Sequence, residues 1–318
     1  MTNRANLALS HEEEVRVFAC VRNEALRIPF FLEYYRRIGV DRFFIVDNGS
    51  SDGTMDLISG NPDIEVFREL SSYREATSGI SWINSLIARH GCGHWCVVVD
   101  ADEFLVYPDL ERMSLRSLTK YLASRSYTAL YSVLLDMYSD KPICETAVGD
   151  ARSLHEICPY YEVNSISYRG VRLPPLAPTP MHEGGVRERL FRVHCCLDKI
   201  AVFRPSGHNH LRSGRHAVEE AVVADIQGAI LHYKLLDDFP TRVVTEVTRA
   251  EHWGYAREYR RYSEVIAREP FLSGHFEGSL RLRKSDDLLT NGVMRDTHAF
   301  RHWTSNQIGS DSGGMYLP

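Results

Sequence analysis

Acidic side chains gather at three points early in this 318-residue chain. Arg22-Asn23-Glu24 follows the apolar run Val15–Val21, Asp47-Asn48 closes Arg42–Val46, and Asp100-Ala101-Asp102-Glu103 closes Trp95-Cys96-Val97-Val98-Val99. Carboxylates brought together repel one another unless something neutralises them. A hard divalent cation does so through oxygen ligands, and it also neutralises a diphosphate and makes it a better leaving group. Alternate residues of an extended segment face the same way, so Asp100 and Asp102 can address one metal–diphosphate unit. The competing account of an Asp-x-Asp pair is a solvated turn. The run before this one is apolar on both faces, which places the pair at the rim of a covered parallel sheet, where open α/β sheets bind ligands.

Histidine is the softer ligand. His232 lies in the β-like run Gly228–Tyr233, where a core histidine satisfied by hydrogen bonds is the plainer explanation. His208 and His210, two residues apart, are rivals that share one face of an extended segment. An imidazole in the set suits Mn2+ better than Mg2+. Gly184-Gly185-Val186-Arg187-Glu188-Arg189 reads either as a loop closing over a ligand, with close backbone approach and arginine forks, or as a tight turn before a charged surface strand. Asp52 stands before a helix and reads as its cap. Glu103 reads equally as a group behind the ligands or as a brace of the loop. Arg74 precedes the next helix and could approach a bound ligand, and the basic run Arg257, Arg260, Arg261 reads as a charged helix face.

These residues need elements to hold them. Val15–Val21, Arg42–Asp47, Ile64–Phe67, Trp95–Val99, Ala129–Leu135 and Gly228–Tyr233 read as strands, with shorter ones at Arg189–Val193 and Ile200–Phe203. Helical spacing joins Phe31, Tyr34, Tyr35 and Ile38, then Ile80, Ile83, Leu86 and Ile87, then Leu115, Leu118, Tyr121 and Leu122. Pro29 and Pro240 suit first helical turns and Gly39 a stop. Repeated βαβ units imply a Rossmann-like, mostly parallel sheet with helices on both faces. Residues 1–235 read as one catalytic domain with an irregular segment at about 137–185, residues 236–300 as a helical extension packed on it, and 301–318 as a loose tail.

Bulk properties remove several classes. The net charge of −5 opposes a phosphate-backbone binder. Seven scattered cysteines make no disulfide framework or zinc spacing, and read as buried or semi-buried thiols in a reducing compartment. No apolar run reaches a membrane span and the first residues are polar, so a cytoplasmic location with at most peripheral membrane contact is expected. Neither a G-x-G-x-x-G turn nor a Walker loop occurs.

The stretch Val21-Arg22-Asn23-Glu24, the turn Asp47-Asn48-Gly49-Ser50-Ser51-Asp52-Gly53-Thr54, the run Asp100-Ala101-Asp102-Glu103-Phe104 and Leu231-His232-Tyr233-Lys234 together resemble the family-two glycosyltransferases of GT-A fold, in their D-x-D-E-F subgroup. The resemblance implies transfer of a hexose from a nucleotide-diphosphate sugar, a UDP-sugar, to a glycan or glycolipid acceptor with Mn2+ or Mg2+. It implies that Val21, Asn23, Glu24 and Asn48 belong to the nucleotide-sugar pocket and that Asp47 meets the base. It assigns ribose or metal to Asp100 with Ala101, the metal to Asp102 and His232, and the diphosphate to Lys234, with Asp102 and Glu103 at the catalytic end of the motif. An inverting reaction needs a carboxylate base, for which Glu183 and Glu188 stand, with Asp136 behind them. The alternatives are a nucleotidyltransferase that makes NDP-sugars, which lacks here its glycine-rich phosphate loop, and a catalytically silent nucleotide-sugar-binding module.

Overall fold

The computed structural model describes residues 13–206, 211–212, 216–307 and 317–318. His208 and His210 lie outside them. Eight strands share one sheet: β1 (Val15–Val21), β2 (Arg42–Asp47), β3 (Ile64–Arg68), β4 (Trp95–Val98), β5 (Glu103–Val106), β6 (Ala129–Asp136), β7 (Asp198–Phe203) and β8 (Val223–His232). Their spatial order is β3-β2-β1-β4-β7-β6-β8-β5. Six run in one direction, and β7 and β5 run against them. The fold is therefore α/β with a large, mostly parallel, curled sheet, consistent with a GT-A-like Rossmann architecture.

Strand alternation divides the core. On one face Val17, Ala19, Phe43 and Ile45 meet α1 (Ile28–Arg37) and α4 (Leu115–Ser124) through Phe31, Tyr35, Leu118 and Tyr121. On the other, Phe18, Phe44 and Val98 meet α3 (Ile80–His90) through Ile83 and Ile87. Pro29 sits in the first turn of α1, where its missing N–H costs nothing. The short α2 (Thr54–Ile58) follows the Asp47 turn.

The sheet curls far enough that only four residues separate β4 from β5, although three strands lie between them in the sheet. The Tyr34 hydroxyl donates to the Leu105 carbonyl and the Tyr35 hydroxyl donates to that of Glu103 at 3.0 Å, tying β5 under α1. Asp100, Ala101 and Asp102 therefore form a hinge between the central strand and the folded-under edge.

Three later helices close over the open rim. Those are α5 (Gly185–Phe191), α6 (Phe239–Arg249) and α7 (Trp253–Arg268), packed together through Val186, Phe191, Phe239, Val243, Tyr259 and Tyr262. Gly254, Tyr255 and Ala256 in the first turn of α7 have left-handed angles.

The structure refines several sequence expectations. Arg189–Val193 is not a strand, because Val186, Leu190 and Phe191 follow helical spacing in α5. Within the irregular segment 137–185, Ile166–Val171 pairs antiparallel with Pro180–Gly184. The first described part of the tail, 301–307, belongs to α8 (His298–Gln307), and Leu317 is buried. The cysteines are all free, but Cys92, Cys144 and Cys196 are exposed rather than buried. Among the described residues no helix is long and apolar enough to cross a membrane.

Candidate active site

The carboxyl ends of β1, β4, β6 and β8 open into one cleft of about 350 Å³, roofed by α5, α6 and α7. Val21, Glu24, Asn48, Asp100, Ala101, Asp102, Glu103, His232 and Lys234 all line it. These positions are spread over more than 200 residues of sequence.

At its centre is a chain of charged contacts. His232 Nε2 lies 3.2 Å from Asp102 Oδ2, and His232 Nδ1 lies 2.6 Å from Asp136 Oδ1. Arg187 Nε donates to the other Asp136 oxygen at 2.7 Å. Pairing of β8 with β6 sets His232 opposite Asp136, and the Tyr233 N–H donates to the Asp102 carbonyl at 2.8 Å. Burial pulls the His232 pKa down, but Asp102 and Asp136 outweigh it and leave it at about 9. Burial pushes Asp102 up, yet His232, then Arg242 and Arg27, hold it well below the usual carboxylate range. For Asp136 the opposition of Arg187 and His232 to burial leaves it at about 2. Protonated His232 thus sets a positive charge between the two carboxylates.

The donor set fits a divalent ion. An imidazole that gives its Nδ1 proton to Asp136 turns a lone pair on Nε2 toward Asp102. Two ligands at right angles, each about 2.1 Å from a cation, are about 3 Å apart, close to the 3.2 Å between Nε2 and Oδ2. An imidazole among the ligands would favour Mn2+ over Mg2+. Asp100 lines the cleft but does not form a three-donor cluster with this pair. Among the described residues the one group of three donors within 4.8 Å of each other is Glu183, Glu188 and His194. It is more exposed, with Glu183 beside Arg169 at 3.3 Å and Glu188 beside His194 at 3.2 Å, and of the three only His194 lines the cleft.

Other expected residues have different surroundings. Glu103 is clamped by the Lys199 ammonium and accepts from the Asp100 N–H at 2.8 Å, so it braces the hinge. Asp47 is fully buried; its carboxylate accepts from the N–H groups of Gly49 at 3.2 Å and Ser50 at 3.1 Å, which makes it the organiser of its own turn. Asn48, next to it, faces the cleft and accepts from Arg249 Nη2 at 3.3 Å. Asn23 is left-handed and accepts from the Ser51 N–H at 2.8 Å, outside the lining. Asp52 accepts from Thr54 and Ala25, tying the turn to the loop after β1. Arg74 donates to the Ala250 carbonyl and stacks on Tyr255, away from the cleft. Lys234 Nζ donates to the Tyr259 hydroxyl at 3.3 Å.

Sequence reasoning missed the cationic wall. Arg242 and Arg249 of α6 face the cleft with Glu246 between them. Arg242 donates to both Glu24 oxygens, at 2.8 and 3.2 Å. Burial still lifts Glu24 to about 7 against Arg242 and Arg27. The signal was the spacing of Arg242, Glu246 and Arg249, which recurs every one to two turns on one helix face.

Comparison with known proteins bears on this cleft only in part. No family model matches the chain. It is 33% identical over 94 residues to a glycosyltransferase family 92 protein of Oryza sativa subsp. japonica, a match that takes in 29% of this chain and 16% of that protein. The chain thus aligns with about one-sixth of that relative's length. Two solved structures resemble it more distantly. A mannosyltransferase from Pyrobaculum calidifontis, in complex with GDP-Man and Mn2+, is 23% identical with a TM-score of 0.30, over 39% of this chain and 36% of that one. A mannose-1-phosphate geranyltransferase from Thermus thermophilus is 12% identical with a TM-score of 0.27, over 85% and 73%. At those scores neither bears on activity.

Proposed function

We propose that the chain is a metal-dependent glycosyltransferase that moves a hexose from a nucleotide-diphosphate sugar, a UDP-sugar, to a glycan or glycolipid acceptor. The observation that carries this reading is the convergence of Asp102 and His232, from different strands, at 3.2 Å inside a cleft walled by Lys234 and Arg242. Acid, imidazole and cationic groups around one void suit a divalent ion and a diphosphate together. The glycosyltransferase named among its sequence relatives supports the same class of reaction.

In this account Asp102 and His232 hold the cation and Asp136 fixes the His232 ring. A bound divalent ion would take up charge that develops on the departing diphosphate. Lys234 and Arg242 supply further positive charge there, and Val21, Glu24 and Asn48 line the nucleoside side. A screen of UDP- and GDP-sugars with Mn2+ or Mg2+, scored by nucleotide release, tests the proposal. Release from a UDP-sugar that needs metal and disappears in Asp102→Asn is expected. No release from any donor, or equal release by the variant, would overturn it.

A further inference from the structure

Resting on that reading, we infer that Glu258 of α7 is the base that takes the proton from the attacking hydroxyl. A carboxylate in this role has to reach the cleft, stand ionised and keep an oxygen free. Glu24 and Glu246 fail the last requirement, and Glu103 is too enclosed to meet the first. Both oxygens of Glu24 are taken by Arg242 and both of Glu246 by Arg249, with His252 on one of them, while Glu103 is buried in the hinge with Lys199 and the Asp100 N–H on its Oε2. The side chains of Glu24, Glu246 and Glu103 are 9%, 15% and 5% exposed, whereas that of Glu258 is 34% exposed. Glu183 and Glu188 do not line the cleft.

Glu258 has a specific setting. The Tyr262 hydroxyl donates to its Oε1, and Arg187 Nη1 lies 3.5 Å from that same oxygen, while Oε2 receives no hydrogen bond from the described residues. Arg187 is also the residue that grips Asp136, which in turn holds His232. Glu258 is therefore tied to the metal-facing pair through Arg187 and Asp136, yet is separate from it. Burial pushes its pKa up, but Lys234 and Arg187 outweigh this and keep it a carboxylate.

In the step, the acceptor hydroxyl oxygen bonds to C1 of the donor sugar as its proton passes to Glu258 Oε2. The bond from C1 to the β-phosphate oxygen breaks, and its electron pair leaves with the nucleoside diphosphate. The product is inverted at C1. Water in place of the acceptor gives slow donor hydrolysis through the same base.

The test uses the full chain with Mn2+, UDP-glucose, UDP-galactose and GDP-mannose as probes, and follows hydrolysis at saturating donor beside calorimetric affinity for UDP and GDP. Glu258→Gln is expected to lower the maximal rate by about 100-fold or more, as loss of a general base does. Nucleotide affinity and melting temperature should stay close to the parent's. Glu258→Asp keeps the charge and withdraws the oxygen; it should recover part of the lost rate while remaining at least about tenfold below the parent. A purely structural Glu258 would let folded Glu258→Asp turn over at the parental rate. That result, or a Glu258→Gln rate within about threefold of the parent while Asp102→Asn loses nucleotide binding, would overturn the inference and leave the proposed function standing. A parent chain that binds neither nucleotide would overturn both.

Discussion

At the residue scale the decisive arrangement is one imidazole held between two carboxylates. The Asp-x-Asp pair at the rim was legible in the sequence because it ends an apolar strand, and strand ends meet at one rim of a parallel sheet, whereas His232 joined it only through the family resemblance. The order of service among the acids was not legible. Glu103 reads equally as a group behind the ligands or as a brace, and Asp47 as a contact to the base. Yet Glu103 gives its Oε2 to Lys199 and the Asp100 N–H, and Asp47 gives its oxygens to the backbone N–H groups of its own turn. Asp136 gave no sign that it orients His232, because that depends on which residue of β8 lies beside the last residue of β6. Replacing Asp136 by Asn should lower Mn2+ affinity, measured on the nucleotide-free chain by electron paramagnetic resonance, by about 10- to 100-fold. Unchanged affinity would show that Asp136 does not position the ring.

At the element scale, seven of the eight sheet strands and α1, α3 and α4 follow from apolar periodicity, whereas β5 is not among the strands so read and β8 begins five residues before the run that was read. The elements that roof the cleft do not follow so simply. In α5 the charged residues Arg187, Glu188 and Arg189 imitate an alternating strand, but Arg187 turns inward to Asp136 and Arg189 to Glu162. The entry to α5 depends on Gly184, whose φ is +116° and whose added Cβ would lie 2.0 Å from the Ser165 carbonyl oxygen. Gly184→Ala is expected to cost at least about 2 kcal/mol, from backbone strain and a clash that no rotamer relieves. Thermal denaturation should show a lowered melting temperature, and nucleotide binding should weaken as Arg187 shifts. A variant as stable as the parent would contradict this account of the turn.

At the scale of the whole molecule, burial of histidines sets the acid limit of stability. Burial, reinforced by Lys199, holds His216 at about 4, and burial holds His155 at about 4 against its contact with the Leu282 carbonyl. An unfolded chain binds these protons below about pH 6.5, while the folded chain binds them only near 4, so the unfolded state gains as pH falls through that window. Each site can remove roughly 3 kcal/mol by pH 4. Denaturant midpoints measured from pH 7 to 4 should fall steadily, and His216→Gln should fall less. His232 acts in the opposite direction: its folded pKa of about 9 adds stability that is complete below about 6.5 and is lost as pH rises through 9. The overall architecture was read from strand and helix alternation. The curl that folds β5 under α1 was not, because it arises from long-range contacts of Tyr34 and Tyr35.

The central claim is that a cation held by Asp102 and His232 recruits a nucleoside diphosphate to this cleft. Calorimetric titration of UDP into the full chain, with Mn2+ and after chelation, measures it most directly. Binding that requires Mn2+ and is lost in Asp102→Asn, with the melting temperature retained, is the predicted result. UDP binding of equal strength without metal, or in the folded variant, would contradict it.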